Sequence, residues 1–221
     1  MMTTITTLLF DLDGTLVDPA EGITRSIQFA LEQMGHSVPS RDDLLAYIGP
    51  PLRHSFATLI QTTEPTQVER AMTLYRQRYA TIGLFENQVY EGIPALLASL
   101  RQKQYRLFLA TAKPHLYARR ILAHHGLDGY FAGVYGSELD GRHDDKGELL
   151  AYLLKEEGLA AAATVMVGDR EHDIHAARQN GLHTIGVTYG YGSAQELTQA
   201  GADWLCHTPQ ELACLTDRRK E

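Results

Sequence analysis

The chain has 221 residues, 44% of them hydrophobic and 21% charged, and its 27 acidic and 20 basic side chains leave a formal net charge of −7. This composition is ordinary for a folded globular protein and argues against a largely disordered chain. The length allows one large domain, or one domain with an insertion of roughly 60–80 residues. The net acidity argues against a nucleic-acid partner, because duplex binding requires a basic face.

The sequence shows no secretion or membrane signal. Its two cysteines, Cys206 and Cys214, match no zinc-binding spacing. The first residues carry no basic segment of the kind that opens a signal peptide, and no run of 18 apolar residues occurs. We therefore expect a cytoplasmic protein with free thiols and no membrane partner.

The first part of the chain reads as one strand followed by helices. Residues 5–10 (ITTLLF) are β-branched and apolar and end at Asp11, which predicts a buried strand followed by a turn. Apolar residues then recur at helical spacing, and residues 17–85 are predicted to be all-helical. The helices are predicted at 20–34, 40–47, 53–61 and 65–81.

After residue 90 the pattern alternates between helix and strand. Helices are predicted at 93–102, 114–125, 146–158, up to Arg178, near 193–200 and from Pro209. Strands are predicted at 106–111, 132–136, 163–169, 183–187 and 203–206. Such alternation is typical of a parallel sheet covered by helices. The predicted fold is α/β: a Rossmann-like parallel sheet core (1–16 and 86–221), which includes the first strand, with an inserted all-helical cap (17–85).

Functional sites of open α/β sheets lie outside the carboxyl ends of the strands, so the residues after each predicted strand are the candidates. DLDGT (11–15) follows the first strand, and Asp11 and Asp13 point the same way along an extended chain. Two adjacent carboxylates repel one another unless Mg²⁺ or a shared proton lies between them. Gly14 allows the backbone to approach a ligand closely. The alternative is an ordinary acidic turn.

TAKP (111–114) follows the second core strand. The hydroxyl of Thr111 and the amides of Ala112 and Lys113 lie just before a predicted helix, where anions are favoured. Lys146 lies near the start of another predicted helix, against the preference of the helix dipole, and an anion there would resolve the conflict. A common strand-end threonine and a solvated lysine are the alternatives.

GDREHD (168–173) follows a further strand. Asp169 and Asp173 are four residues apart, so a helix beginning near residue 170 would direct both at one region. Oxygen ligands of this kind suit Mg²⁺, and a helix cap with a surface aspartate is the alternative. Taken together, the strand ends supply a nucleophile, metal ligands, oxygen-binding donors and a lysine, which are the requirements of phosphoryl transfer.

With these motifs, the sequence resembles the haloacid dehalogenase superfamily of phosphatases. The four motifs of that superfamily occur here in order as DLDGT, Thr111, Lys146 and GDREHD, and the predicted helical block corresponds to its small helical cap. The branch of phosphoglycolate phosphatases and 5′-nucleotidases is the most similar. The segments that indicate this branch are DGTLVD (13–18), IGPPL (48–52), TAKP and YGSELDG (135–141).

The resemblance implies a Mg²⁺-dependent phosphomonoester hydrolase that acts on a small phosphorylated metabolite of the phosphoglycolate or nucleoside monophosphate type. Asp11 would be the nucleophile that becomes an aspartyl phosphate, and Asp13 the general acid and base. Asp13 also argues against a dehalogenase, which has a different residue there.

The resemblance further implies the groups that bind phosphate and metal. Phosphate would be bound by Thr111, by amides near Leu12 and Ala112, and by Lys146, which is also catalytic. Mg²⁺ would be held by the Asp11 carboxylate, the Asp13 main-chain carbonyl, Asp169 and, indirectly, Asp173.

Substrate choice is assigned to the cap and its boundary. Arg53 follows the IGPPL turn, and we hypothesise that Arg53 and Lys113 bind a second anionic group of the substrate. A surface arginine is the alternative for Arg53, and Ala112 stands where many relatives carry Asn or Ser.

A phosphomutase acting on a sugar phosphate and a non-catalytic binding protein are the alternative functions. The expected state is a monomer or homodimer.

Overall fold

The computed structural model describes residues 4–50 and 52–217. The chain divides into two compact units, one formed by the residues up to Asp18 and from Val89 onward, the other by Pro19–Gln88. The inserted unit thus runs over 19–88, where the sequence predicts 17–85. Within the described ranges, no helix combines the length and the apolar character needed to cross a membrane.

Eight strands and ten α-helices make up the described chain. The strands are β1 (Thr7–Phe10), β2 (Val17–Asp18), β3 (Gln88–Val89), β4 (Arg106–Pro114), β5 (Gly133–Ser137), β6 (Thr164–Gly168), β7 (His183–Val187) and β8 (Trp204–Cys206). The helices are α1 (Ala20–Gln33), α2 (Arg41–Leu44), α3 (Leu52–Leu59), α4 (Pro65–Tyr79), α5 (Ile93–Gln102), α6 (His115–His124), α7 (Lys146–Glu156), α8 (Glu171–Gln179), α9 (Ala194–Ala200) and α10 (Pro209–Asp217).

Six strands form one sheet in the order β5-β4-β1-β6-β7-β8, and its pairings are parallel. The first strand, β1, lies between β4 and β6, although the whole inserted unit separates it from both of them in the sequence. The α/β fold class is therefore confirmed, with β1 inside the sheet. β2 and β3 pair separately as a two-stranded sheet.

The core lies between the sheet and its helices. Leu9 of β1, Phe108 of β4 and Met166 of β6 are fully buried and pack with Leu150 and Leu153 of α7. Strands buried on both faces read as continuous apolar runs, which is why TLLF predicts its strand so clearly. This packing fixes the backbone at the carboxyl ends of β1, β4 and β6.

The inserted unit is helical, as predicted, and has its own core. Phe56 and Tyr75 meet edge to face with ring centroids 6.0 Å apart, and Tyr75 stacks on Tyr79. A capping box of Ser40 and Asp43 begins α2. The predicted helical range is wrong at its first residues, because Val17–Asp18 is the strand β2. Within IGPPL, Pro51 lies outside the described residues.

The segment TAKP (111–114) also differs from its predicted structure. The strand predicted at 106–111 continues to Pro114, and the helix predicted to begin at Pro114 begins at His115. Pro114 resumes the pairing with β5 after a shift of register between Thr111 and Pro114. The sequence rule that places Pro in a first helical turn did not anticipate a bulged strand.

Candidate active site

The carboxyl end of β1 places Asp11 and Asp13 in a tight turn. Asp11 N donates to the Val167 carbonyl at 2.9 Å, which continues the sheet pairing past the strand. Gly14 has φ +81°, and a Cβ there would lie 2.5 Å from Cγ of Asp169. In the structure Gly14 therefore packs against another carboxylate of the site, and its approach to a ligand stays a prediction.

Lys146 places a buried cation between two carboxylates of the site. It is the first residue of α7, a helix capped by Asp145, whose carboxylate accepts from Glu148 N at 2.9 Å. Its Nζ lies 2.9 Å from Asp11 Oδ1 and also pairs with Asp173. Burial lowers the pKa of Lys146, but the charges of Asp11 and Asp173 outweigh it and the net shift is upward. The expected anion partners of this lysine are thus two carboxylates.

Asp169 and Asp173 come from the end of β6 and the first turn of α8. Carboxylate oxygens of Asp11, Asp169 and Asp173 lie within 4.8 Å of one another, and all three residues are buried. Arg170 N donates to Asp173 Oδ2 at 3.1 Å, while Lys146 pairs with the other oxygen. Both oxygens of Asp173 are therefore engaged by protein donors.

Thr111 and Lys113 also face this end of the sheet. Lys113 N donates to Thr111 Oγ1 at 3.3 Å, and Lys113 Nζ lies 2.8 Å from Asp13 Oδ2. Because the Thr111 oxygen accepts from this amide, its own proton is free to turn toward a ligand. The Ala112 carbonyl accepts from Ser137 Oγ at 2.9 Å, which holds the bulge. The structure brings Lys113 to the acidic turn, beside Asp13.

The charges in the site do not balance. Four carboxylates and two ammonium groups leave a formal charge of −2 when all are ionised (Asp11, Asp13, Asp169 and Asp173 with Lys113 and Lys146). Burial, followed by the charges of Asp173 and Asp11, raises the pKa of Asp169 well above its usual range. Burial also raises the pKa of Asp13, against the opposing charge of Lys113.

Some polar oxygens of the site have no partner. Among the described residues, Asp13 Oδ1, Thr15 Oγ1 and Asp169 Oδ1 are buried without a hydrogen bond. An unpaired buried carboxylate oxygen is costly, and a cation removes that cost. The donor set consists of hard oxygens, which suits Mg²⁺. The residues present therefore fit a divalent cation.

The sequence analysis assigned no role to the loop after β7, which contacts the site through a backbone amide and a tyrosine hydroxyl. Tyr191 N donates to Asp169 Oδ2 at 2.8 Å. The Tyr189 hydroxyl donates to the Thr15 carbonyl at 3.0 Å, and the Tyr191 hydroxyl donates to Asp18. The sequence signal for this loop is the pattern YGYG (189–192) after a predicted strand. Such a pattern does not by itself indicate which carboxylate the loop contacts.

Arg53 belongs to the inserted unit. Its guanidinium lies 2.6 Å from Glu69 Oε2, and its side chain is 60% exposed. It borders a pocket of about 500 Å³ with His54, Ala57 and Val68. The structure therefore shows Arg53 as an exposed residue in a surface ion pair.

Comparisons with known proteins show the family of this chain. The model of the haloacid dehalogenase-like hydrolase family matches residues 8–187. A 5′-nucleotidase of Pseudomonas aeruginosa is 48% identical over 190 residues, which cover 86% of each chain. The tyrosine-protein kinase PtkA of Mycobacterium tuberculosis is 37% identical over 200 residues, covering 90% of this chain and 68% of the relative.

A solved structure matches along nearly the whole chain. The crystal structure of a predicted phosphatase from Clostridium acetobutylicum superposes with a TM-score of 0.92 at 39% identity, covering 98% of this chain and 100% of that one. The family resemblance is thus confirmed by sequence and by fold. The chain belongs to the haloacid dehalogenase-like hydrolases.

Proposed function

We propose that this hydrolase releases phosphate from a small phosphorylated metabolite, through an aspartyl phosphate formed on Asp11 and with Mg²⁺ bound at the acidic cluster. The observation that carries the proposal is the convergence of three buried carboxylates, two of which, Asp11 and Asp173, pair with Lys146. One of their oxygens, Asp169 Oδ1, is buried without a hydrogen bond within the described chain.

The metal would be held by the carboxylates of Asp11 and Asp169 and by the Asp13 main-chain carbonyl. Asp173 would act through water, because both of its oxygens already accept from protein donors. When bound, Mg²⁺ supplies positive charge that allows a carboxylate to approach an anionic phosphate ester.

In the first step the Asp11 carboxylate oxygen forms a bond to phosphorus, and the ester P–O bond breaks. The leaving oxygen takes the proton of Asp13. A raised pKa favours the protonated form of Asp13 that this step requires, and burial is its main cause.

In the second step Asp13, now ionised, accepts a proton from a water molecule. The oxygen of that water forms a bond to phosphorus, the bond from Asp11 to phosphorus breaks, and phosphate leaves. Asp11 and Asp13 are then restored, so the cycle balances in atoms and protons.

The remaining groups of the site stabilise charge on the transferring phosphoryl group. Lys146 Nζ lies 2.9 Å from Asp11 Oδ1 and offsets negative charge where the new bond forms. The Thr111 hydroxyl and the amides of Leu12 and Ala112 would donate to the phosphoryl oxygens. The Leu12 carbonyl accepts from Thr15 N, Leu16 N and Val17 N, which orders the turn carrying its amide.

A nucleoside monophosphate is the substrate class we place first, because the relative that is 48% identical is named 5′-nucleotidase. Phosphoglycolate is the second class. Lys113 and Arg53 would bind a further anionic group of the substrate. Each is paired with a carboxylate in the structure, Lys113 with Asp13 and Arg53 with Glu69, and a substrate anion would compete for these pairings.

The test is phosphate release from a panel of phosphomonoesters, in Mg²⁺ and in EDTA, by the wild-type protein and by Asp11→Asn. The panel contains nucleoside monophosphates, phosphoglycolate, sugar phosphates and a phosphotyrosine peptide. We expect Mg²⁺-dependent turnover, a loss of at least about a thousandfold in kcat for Asp11→Asn, and the highest kcat/KM on a nucleoside monophosphate.

Two results would contradict the proposal. Turnover that survives in Asp11→Asn would exclude the covalent route. If the folded protein released phosphate from none of the esters, the phosphomutase and binding-protein alternatives would be favoured. Phosphoryl-transfer assays with sugar phosphates would then distinguish these two alternatives.

A further inference from the structure

The loop of residues 188–192, which we call the tyrosine loop, contacts Asp169 of the proposed cation site. We propose that the Tyr191 hydroxyl is a positioning group for divalent-cation binding. Through its hydrogen bond to Asp18, it holds the loop whose amide orients the Asp169 carboxylate. This inference rests on the proposed function, because it concerns the same cation site.

The two oxygens of the Asp169 carboxylate have different environments. Tyr191 N donates to Oδ2 at 2.8 Å, whereas Oδ1 is buried and, among the described residues, has no hydrogen-bond partner. The amide therefore engages one oxygen and leaves the other for a cation. A partner that orients a metal ligand in this way affects metal affinity.

The tyrosine loop is in tight contact with Asp169. A Cβ at Gly190 would lie 2.5 Å from Asp169 Oδ2, and a Cβ at Gly192 would overlap the Asp169 main-chain oxygen. Glycine on both sides of Tyr191 lets the loop backbone pack directly on this residue. Because no space separates them, a displacement of the loop displaces the carboxylate.

The tyrosine loop is anchored by the hydroxyl groups of its two tyrosines. The Tyr189 hydroxyl donates to the Thr15 carbonyl at 3.0 Å, and the Tyr191 hydroxyl donates to the Asp18 carboxylate. Both acceptors lie on the segment that follows β1 and begins with Asp11. The loop thus ties the segment that carries one proposed ligand, Asp11, to the carboxylate of another, Asp169.

Of the two anchors, Tyr191 is the one that bears on the cation. Its acceptor is a carboxylate, and hydrogen bonds to an ionised acceptor are stronger than neutral ones. The same residue supplies the amide that orients Asp169. Tyr189 contributes an edge-to-face contact with Tyr90, with ring centroids 5.1 Å apart, which supports the loop from the other side.

The experiment is calorimetric titration of Mn²⁺ and of Mg²⁺ into the substrate-free full chain, so the readout is a cation Kd and does not require turnover. Tyr191→Phe removes the hydroxyl and keeps the ring and the amide. We expect its cation Kd to rise about tenfold, the lower end of the effect of outer-shell partners on metal affinity. The matched control is Tyr135→Phe, which removes a hydroxyl that donates to Glu157 at 2.7 Å outside the tyrosine loop.

The acceptor end of the bond gives a second measurement that does not depend on the tyrosine variant. Asp18→Ala should raise the cation Kd by a similar factor, and Asp18→Asn, which retains an oxygen acceptor, should restore most of the affinity. In the double variant Tyr191→Phe with Asp18→Ala the two effects should not add, because both remove one bond.

The failure of this inference differs from the failure of the proposed function. A wild-type chain that binds no cation, or an Asp169→Asn variant that binds as well as wild type, would remove the cation site and the inference with it. A wild-type chain whose binding depends on Asp169, with Kd values for Tyr191→Phe and Asp18→Ala equal to that of Tyr135→Phe, would overturn the inference alone.

Discussion

At the scale of single residues, the site is defined by one buried lysine between two carboxylates. Lys146 Nζ contacts Asp11 and Asp173, and the side chains of these three residues are 3–12% exposed. Removal of one partner from a buried ion pair leaves an uncompensated charge, which costs far more than the pair contributes. Lys146 therefore has a structural role besides its proposed catalytic one.

Lys146→Met should lower the free energy of unfolding by about 3 kcal/mol, because two buried carboxylates lose their cation. The measurement is urea unfolding in EDTA. Lys155→Met is the matched control, since Lys155 is exposed in the last turn of the same helix, α7. A loss for Lys146→Met no larger than that of the control would contradict the role of Lys146 in stability.

At this scale, the sequence analysis identified the residues of the site more readily than the contacts between them. The spacing of Asp11 and Asp13, the strand-end Asp169 and the misplaced charge of Lys146 all carry local signals. The contact of Lys113 with Asp13 and that of Tyr191 with Asp169 do not. Each joins segments far apart in the chain, and no local pattern reports such a pairing.

At the scale of elements, local sequence patterns predict the bounds correctly where pairing with another segment does not extend the element. The strand at His183–Val187 and the helix at Ile93–Gln102 have the predicted bounds. The patterns fail at Arg106–Pro114, where β5 pairs with β4 across a bulge and so extends the strand past the predicted end. Tertiary pairing overrides the local preference for a helix at Pro114.

The inserted helical unit depends on an element-scale network around Glu86. Arg78 donates to both Glu86 carboxylate oxygens, at 2.8 and 3.1 Å, and Arg25 donates to one of them at 3.1 Å. The Glu86 carbonyl also accepts from Gly22 N at 2.9 Å. The network ties α1 and α4 to the end of the unit, and the hydrogen bond from Arg78 is the main cause of a lowered pKa of Glu86.

Glu86→Gln should lower the free energy of unfolding at neutral pH by about 1 kcal/mol, since the charged bonds are partly exposed. The folded-state pKa of Glu86 lies below its usual 4.5, so its stabilisation is present above that value and is lost as the pH falls through the folded-state pKa. Denaturant unfolding at a series of pH values measures this. Exposed Glu32→Gln is the control, and a difference from wild type that persists at the lowest pH would contradict the prediction.

At the scale of the whole molecule, the site is assembled from points spread over much of the chain. Asp11, Thr111 and Asp169 lie at or near the carboxyl ends of three neighbouring parallel strands, β1, β4 and β6, and Lys146 begins α7, the helix that follows β5. Bringing four acidic side chains together raises the free energy of the folded state unless a cation is bound. We therefore expect the unit that contains the sheet to be stabilised by Mg²⁺.

Mg²⁺ at a hundredfold excess over its Kd should stabilise this unit by about 2.7 kcal/mol, equivalent to a rise of roughly 5–10 °C in Tm. Trp204 is the single tryptophan of the chain and lies in β8, so its fluorescence reports the unfolding of this unit. The control is Asp169→Asn, whose midpoint should not respond to Mg²⁺. An unchanged Tm in wild type, or an equal rise in the variant, would contradict the prediction.

The sequence by itself determined the fold class, the inserted helical block and the family, because buried strands, amphipathic helices and strand-end carboxylates each have local signatures. Only the tertiary structure decided which side chains meet: Lys113 with Asp13, Lys146 with two aspartates, and the tyrosine loop with Asp169. The physical reason is that these contacts depend on strand order and loop packing, which are set by burial across the whole sheet.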